Sequence, residues 1–561
     1  IIELLKSRGV LMAESRIEHS YPHCWRCHNP VIFRATEQWF ISMEAKVEDS
    51  TLRQRALDEI KKVKWVPAWG EERISNMIAT RPDWCISRQR VWGVPIAVFF
   101  CEGCGKLLET KGAHNAVVEI FAREGADAWY TKEAKTILPA ETKCPGCNGA
   151  NFRKEMDIID VWFESGSSHA AVLDQDSGLP WPADLYLEGG DQYRGWFHSS
   201  LLVAVGTRGH APYRAVATNG WTLDPQGRAT SKSLGNGIDP VDIAKRLGAE
   251  IIRLWVASVD FQEDVTVSED LLKRVSVNYV DLRNRFKHIL SNLYDFDPAT
   301  DAVDFDSMLP LDQYILLRTA ELTEQIRKWY ENFEFHRVYH QINEFFSAEL
   351  SNMYFAATKD RLYTAAPKSR LRRSAQTALW RIGEAMVRLL APLMSFTSDE
   401  IWSFLPQISA RPASVHLAYF PQPEEITGRI GQTDVKRLRS DFELLFSARE
   451  EALKALEIAR QEKVIGRSEE AVLTIEAPES SWKQLEHYRD DVRFLMIVSG
   501  VEIKRATAGN GNAPLHVQVT KAPGQKCERC WNYSVEVGRN ERYPTVCERC
   551  SAALEEIERE A

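Results

Sequence analysis

Between Leu223 and Asn236 the chain reads LDPQGRATSKSLGN, a polar, glycine-bounded loop with one central lysine, Lys232, between Ser231 and Ser233. An ammonium on a loop of small residues is a compact charge that can be brought to phosphate oxygens. Just before it, Asn219-Gly220-Trp221 make a turn after the apolar run Val216-Ala217-Thr218. Further upstream, the run from Tyr186 to Phe197 (YLEGGDQYRGWF) offers Glu188, Asp191 and Gln192, with Gly189 and Gly190 permitting close backbone approach. Carboxylates suit a ribose diol or a substrate ammonium and repel phosphate. A diol and amine reader followed by a phosphate reader is the equipment of an enzyme that activates a substrate with a nucleotide, by positioning and charge stabilisation. The phosphate loop is not of the GxxxxGK[ST] kind.

Two more polar segments accompany these. Arg81-Pro82-Asp83-Trp84-Cys85-Ile86-Ser87-Arg88-Gln89-Arg90 places three arginines around what reads as a short helix, set either for an anionic ligand or for internal ion pairs. Asp160-Val161-Trp162-Phe163-Glu164-Ser165-Gly166 reads as a strand ending in acidic and hydroxyl groups, at the place where α/β folds put ligands.

Ten of the eleven cysteines fall into five CxxC pairs, Cys24/Cys27, Cys101/Cys104, Cys144/Cys147, Cys527/Cys530 and Cys547/Cys550, and Cys85 stands alone. Such pairs without a secretion signal read as metal thiolates in a reducing, cytoplasmic setting rather than as disulfides. Two pairs sixteen residues apart, Cys527/Cys530 with Cys547/Cys550, can close on Zn²⁺ as a structural site. Cys101/Cys104 with Cys144/Cys147 form a second candidate that clips an excursion at its base. Cys24/Cys27 lack an evident partner pair; either the thiols are simply buried or two further ligands lie upstream.

The elements that must carry these groups change along the chain. Up to about residue 265, short apolar runs such as Val94–Phe100 and Ile158–Phe163 alternate with Gly- and Pro-rich loops, an α/β layout. From 266 to about 405 long helical periods predict a bundle of four or more helices. A charged amphipathic helix to about Lys463 and the alternating Ala471-Val472-Leu473-Thr474-Ile475 predict a small α/β unit, followed by a cysteine module ending in a Glu-rich helix. No run of 18 apolar residues occurs, so no membrane role is expected. A net charge of −9 argues against coating nucleic acid with the whole surface, but not against a local basic face. The start without methionine, inside a helical pattern, predicts a piece of a longer protein.

Taken in order, SYPHCWR from Ser20, Gln38-Trp39-Phe40, RPDWCISRQRVWGVP from Arg81, DVWFESGSS from Asp160, YLEGGDQYRGWF from Tyr186 and SKSLGN from Ser231 closely resemble the class I aminoacyl-tRNA synthetases. The terminal KCERCW and CERC knuckles point to their isoleucyl branch over the valyl and leucyl ones. The resemblance covers essentially the whole chain. It implies the second half of a Rossmann-like α/β catalytic domain with a zinc-clipped insertion, then an α-helical anticodon-binding bundle, a small α/β unit and a C-terminal zinc module. The implied boundaries are 1–48 for the end of an editing insertion and the return to the catalytic domain, and 49–265 for the catalytic second half with its insertion at about 98–157 and lysine loop at 223–236. The helical domain would run over 266–425, the α/β unit over 426–520 and the zinc module over 521–561.

The reaction implied is ATP-dependent activation of isoleucine to its adenylate and transfer to the 3′ end of tRNA(Ile), with Mg²⁺ accompanying ATP. Glu188 and Gly189 would hold the adenylate, Asp191 and Gln192 would shape the pocket and ribose contact, Trp196 would form a wall, and Gly220 would adjoin. Lys232, with Ser231 and Ser233, would stabilise the departing pyrophosphate. Lys273, Arg274, Arg283, Arg285 and Lys287, then Lys359, Arg361, Lys368, Arg370, Arg372 and Arg373, would offer phosphate contacts to the tRNA. A monomer is the family expectation. By the same resemblance, the motif that binds ATP, the editing domain and two partners for Cys24 and Cys27 would lie before residue 1, so the fragment would be incompetent alone. The sequence departs from the family loop, which has lysine and methionine where Ala229 and Thr230 stand here, and this predicts weaker adenylate formation. Arg228 could substitute in part for the absent lysine. A non-catalytic tRNA-binding paralogue or remnant, or a valyl or leucyl enzyme, are the alternatives.

Overall fold

Nine successive residues, Phe197 to Val205, are buried in the helix Trp196–Arg208, so this helix has no solvent face and forms the axis of its surroundings. The structure, a computed structural model, describes residues 1–24, 27–47, 49–173, 178–231, 235–409, 411–506 and 515–560. It divides into two units, Ile1–Thr218 and Asn219–Ala561.

In the first unit the buried helix packs against the helices Leu52–Ile60 and Val161–Gly166. A three-stranded sheet places Ala215–Asn219 between Tyr186–Gly189 and Lys64–Val66, parallel to the latter with Val216 opposite Trp65. Ala215 to Thr218 are all buried, as expected of a central parallel strand covered on both faces. A satellite core of Phe99, Val117, Ile120 and Trp129 fills the excursion between the second and third cysteine pairs. Its base is the antiparallel ladder of Phe99–Cys101 with Phe152–Lys154.

Three sequence expectations change here. Only Phe99 and Phe100 of the run Val94–Phe100 lie in a strand. The segment from Asp160 is a helix, not a strand end: the strand stops at Ile159, and the Asp160 carboxylate accepts from the Trp162 N–H at 3.3 Å as the cap of Val161–Gly166. The arginine segment holds two short strands, Trp84–Cys85 and Ser87–Arg88, paired with Phe40–Ile41 and Ile158–Ile159, in place of a helix. Trp84 donates to Asp160 at 3.0 Å and Ser87 to Gln38 at 2.7 Å, pinning the segment in extended form.

In the second unit the helices Glu269–Ser291, Pro310–Glu331, Phe335–Glu344, Arg370–Leu390 and Ser395–Phe404 make the bundle. Phe335–Glu344 runs on through a π-helical stretch, Phe345–Phe355, into Ala356–Thr364. The long helix Val435–Gln461 leads to a sheet whose middle strand, Ala471–Ala477, alternates buried and half-buried residues along its whole length. It pairs parallel with Gly500–Arg505 and antiparallel with His516–Lys521. The helix Glu548–Glu560 closes the cysteine module. Among the described residues no helix is long and apolar enough to cross a membrane.

The bundle uses several of its arginines internally, contrary to the reading of them as phosphate contacts. Arg361 and Asp312 are both buried and joined by two hydrogen bonds of 3.0 and 2.9 Å, with Tyr354 and Ser374 also donating to Asp312. Arg372 and Arg373 pair with Asp295, and Arg373 with Asp301. Buried charges need such partners, and removing one typically costs about 3–5 kcal/mol. Lys273, Arg274, Lys287, Lys359 and Lys368 remain at the surface.

Two buried histidines give the first unit a pH dependence. His169, against Trp181, and His198, inside the buried helix, are pushed down to about 4 by desolvation, with Arg208 and Arg81 respectively adding to the effect. Their folded values lie below the unfolded one of about 6.5, so the unfolded state binds more protons between pH 6.5 and 4. Stability is intact above pH 6.5 and is lost as the pH falls through that window, by about 3 kcal/mol for each histidine. Denaturant unfolding followed by tryptophan fluorescence at pH 7.5 and 5.0 should show this loss. In the double variant His169→Gln, His198→Gln the loss should be largely absent.

Candidate functional site

The carboxylate corner is built where the strand Tyr186–Gly189 passes through a 3₁₀ turn, Gly190–Tyr193, into the buried helix. Gln192 orders this corner: its Oε1 accepts from the Trp196 N–H at 2.9 Å, occupying a free donor at the helix start, and its Nε2 donates to Asp191 at 3.1 Å. Gly195 must be glycine, because a Cβ there would lie 2.5 Å from Gln192 Oε1 and 2.7 Å from the Trp162 ring. Trp196 stacks on Tyr186 with centroids 4.0 Å apart and donates from Nε1 to the Ser165 carbonyl at 3.0 Å. Glu188 and Asp191 stay exposed. Tyr193 is buried and bonds Thr218 at 2.9 Å, tying this corner to the central strand. The result is a rigid rim of two tryptophans and a tyrosine beside two accessible carboxylates, suited to a ligand with an apolar part and a cationic or hydroxyl part.

The arginines of the segment 81–90 divide. Arg88 pairs with Asp160 at 3.0 Å, and Arg81 lies over Trp84 with burial lowering its affinity for the proton, so both serve the interior. Arg90 is exposed.

In the second unit Gly220 sits where a Cβ would meet the Glu263 carbonyl oxygen at 2.1 Å, and its N–H donates to the Phe261 carbonyl. The strand Thr222–Leu223, parallel to Val265–Thr266, then enters the lysine loop. Lys232 and Ser233 lie outside the described residues; the stem of their loop does not. Asp224, a residue the sequence reading passed over, is buried and gathers both limbs. It accepts from the N–H groups of Gln226 and Arg228 at 3.0 and 2.9 Å, from the Arg228 guanidinium at 2.8 Å, and from Asn236 Nδ2 at 2.9 Å. Asn236 Oδ1 in turn accepts from the Ser231 N–H at 2.9 Å. These donors, Asn236 first, hold the Asp224 carboxyl far below the usual carboxylate range. The signal in the sequence was an aspartate four residues before an arginine across a glycine turn. One expectation is corrected as a result: Arg228 is clamped to Asp224 and is not free to replace the absent lysine. In Asp224→Asn the stem loses its anion, and tryptic cleavage after Arg228 and Lys232 should accelerate at least about tenfold under native conditions, the ratio read by quantitative peptide mapping.

The cysteines assemble as two groups of four, Cys101, Cys104, Cys144, Cys147 and Cys527, Cys530, Cys547, Cys550, with all sulfurs of a group within 4.8 Å of one another. Separations of 3.5 Å for Cys101 to Cys147, 3.6 Å for Cys104 to Cys144 and 3.7 Å for Cys530 to Cys547 are too long for a disulfide. They match the roughly 3.8 Å edge of a tetrahedron with metal–sulfur bonds of about 2.3 Å. Three pairs share one knuckle: the N–H four residues after the first cysteine bonds its carbonyl, and that residue takes positive φ, at Gly105, Asn148 and Trp531. Cys24 begins the same knuckle, with the His28 N–H on its carbonyl at 2.8 Å and φ 58° at His28. Among the described residues no second pair joins Cys24 and Cys27.

Comparison with known proteins places three family matches along the chain. Residues 12–268 match the family of tRNA synthetases class I (I, L, M and V), residues 312–476 the anticodon-binding domain of tRNA ligase, and residues 524–553 the zinc finger found in FPG and IleRS. The chain belongs to the class I tRNA synthetases, with their catalytic fold, anticodon-binding domain and terminal zinc finger. Within that family it is similar to isoleucine–tRNA ligases. It is 49% identical to that of Syntrophotalea carbinolica, across 97% of this chain and 58% of the relative. The figures are 46% for Moorella thermoacetica, across 99% and 60%, and 46% for Geobacter sulfurreducens, across 99% and 59%. The chain thus spans somewhat under two thirds of the length of the curated relatives it matches. Among solved structures, Mycobacterium tuberculosis methionyl-tRNA synthetase in complex with methionyl-adenylate aligns at 16% identity over 71% of this chain and 72% of that one, with a TM-score of 0.48.

Proposed function

We propose that the protein to which this chain belongs is a cytoplasmic isoleucine–tRNA ligase, which joins isoleucine to ATP as the adenylate and passes it to the 3′ end of tRNA(Ile). The observation that carries this reading is its likeness to isoleucine–tRNA ligases along nearly all of its own length. The geometry supports it. Glu188 and Gly189 at the strand end would hold the adenylate, Asp191 would take its hydroxyls or ammonium, and Gln192 and Trp196 would keep the wall in place. Gly220 leads into the lysine loop. Lys232, with Ser231 and Ser233, would meet the negative charge that develops as pyrophosphate leaves, with Mg²⁺ on the ATP. Zn²⁺ would sit in the two four-cysteine groups as a structural ion, and Cys24 and Cys27 would supply half of a third site. The helical domain at 266–425 and the zinc module would carry the tRNA, with the exposed Lys287 and Lys359 among the phosphate contacts and the buried arginines excluded.

Charging of total tRNA by the complete protein with each of isoleucine, valine and leucine tests the reading. Isoleucine should be transferred at least about a hundredfold faster than leucine, in keeping with the selectivity a shaped apolar pocket provides. Equal charging by all three, or leucine in first place, would contradict it. A second reading, tRNA binding without activation, is favoured by the clamped Arg228 beside Ala229. It would be adopted if tRNA binds and no amino acid is charged.

A further inference from the structure

The helix Trp69–Ala79 follows the strand Lys64–Val66, which lies parallel to the central strand Ala215–Asn219. It therefore starts at the end of the sheet where the central strand finishes, the carboxyl end at which parallel sheets hold their ligands. There it packs against the turn Gly190–Tyr193. Arg73, one turn into this helix, is exposed. Its guanidinium lies over two rings, 5.6 Å from the centroid of Trp69 and 5.4 Å from that of Tyr193, and the rings are themselves 5.6 Å apart. It also reaches the carboxylate corner: a Cβ on Gly190 would lie 3.9 Å from Arg73 Nη1 and 3.8 Å from the Thr218 methyl. Among the described residues Arg73 forms no ion pair and no hydrogen bond. Contacts to ring faces hold the cation in place without consuming its N–H donors. Arg81 and Arg88, by contrast, are spent on the interior.

The charge of the corner gives this cation a use. Glu188 and Asp191 are exposed and suit hydroxyls or an ammonium. An aminoacyl-adenylate, however, joins its ribose to its amino acid through a phosphate, which two carboxylates repel. A guanidinium beside Gly190 offsets them, and its fork matches phosphate oxygens. Resting on the ligase reading above, we propose that Arg73 binds the α-phosphate of ATP and of the adenylate formed from it, with Gly190 leaving the approach open. In that step an oxygen of the isoleucine carboxylate bonds to the α-phosphorus as the bond to the bridging oxygen of the departing pyrophosphate breaks. Arg73 holds the phosphoryl oxygens and exchanges no proton. The α-phosphate is charged before and after the step, so the contact belongs to the bound nucleotide throughout, and its loss falls mainly on the KM for ATP.

Isoleucine-dependent ATP–pyrophosphate exchange by the complete protein tests the assignment. Arg73→Met keeps an apolar stem over Tyr193 and removes the fork. Its KM for ATP should rise at least about tenfold, the loss expected of one charge-assisted contact, with the KM for isoleucine little changed. Arg73→Lys, which keeps the charge without the fork, should give a smaller rise. The proposal is overturned if the KM for ATP in Arg73→Met stays within about twofold of the wild type. It is equally overturned if the only rise is in the KM for tRNA in the charging reaction. If Arg73→Met does not fold, Arg73→Lys decides, and an unchanged KM for ATP in that variant overturns the proposal. If the wild type shows no isoleucine-dependent exchange, the ligase reading fails on its own account. Equilibrium dialysis of ATP against wild type and Arg73→Met then decides the role of Arg73, equal affinities overturning it.

Discussion

In the complete protein, Lys232→Ala should lower isoleucine-dependent ATP–pyrophosphate exchange by about 100- to 1000-fold in kcat, with the KM for isoleucine little changed. That is the usual loss when one donor aimed at developing charge is removed from a preorganised site. The size of the effect follows from how the loop is furnished. Ala229 supplies no charge, and Arg228 is committed to the buried Asp224 through its guanidinium. Of the two cations in the sequence LDPQGRATSKSLGN, that leaves Lys232 as the one expected to meet the phosphates. For the same reason, Ala229→Lys with Thr230→Met should raise the exchange rate, by roughly tenfold if the added ammonium gains about 1.4 kcal/mol in the transition state. An unchanged rate would mean that position 229 does not face the phosphates.

The second large effect concerns folding. Cys550→Ser should remove one zinc ion per chain and unfold the segment from Cys527 to Glu560, seen as a fall in metal content and loss of exchange protection in the helix Glu548–Glu560. The module's buried cluster is almost entirely metal ligands, and structural zinc in such small domains contributes roughly 10–16 kcal/mol of apparent folding free energy. Cys104→Ser should also cost one ion, yet leave the helix Lys111–Glu124 protected, because the excursion it clips has its own core around Trp129. If Cys550→Ser keeps its metal and its protection, the four cysteines are not a zinc site.

Much of this was legible in the sequence, for physical reasons that differ by region. The cysteine groups were, since CxxC spacing leaves few ways to satisfy a tetrahedral ion, and the structure brings both fours within 4.8 Å. The alternation from Ala471 to Ala477 and the helical periods after 266 also became elements of the expected kind. The charged residues were less legible. Arg361, Arg372 and Arg373 look like any basic run until Asp312 and Asp295, some 50 to 80 residues away, are found against them. Asp160 was read as a ligand group at a strand end, whereas it caps a helix and holds Trp84 and Arg88. The role of Asp224 is hard to read because its bonds to backbone N–H groups leave no mark in the sequence, and only its spacing to Arg228 across Gly227 gives a signal.

The central claim is that the complete protein activates isoleucine and that the carboxylate corner at Glu188 and Asp191 serves that reaction. The most direct measurement is ATP–pyrophosphate exchange by the complete protein, with isoleucine and without it, in the wild type and in Asp191→Ala. Exchange that requires isoleucine and drops at least about tenfold in Asp191→Ala, through a raised KM for isoleucine or ATP, is the predicted result. Exchange that is absent with isoleucine, or that is unchanged in Asp191→Ala, would contradict it.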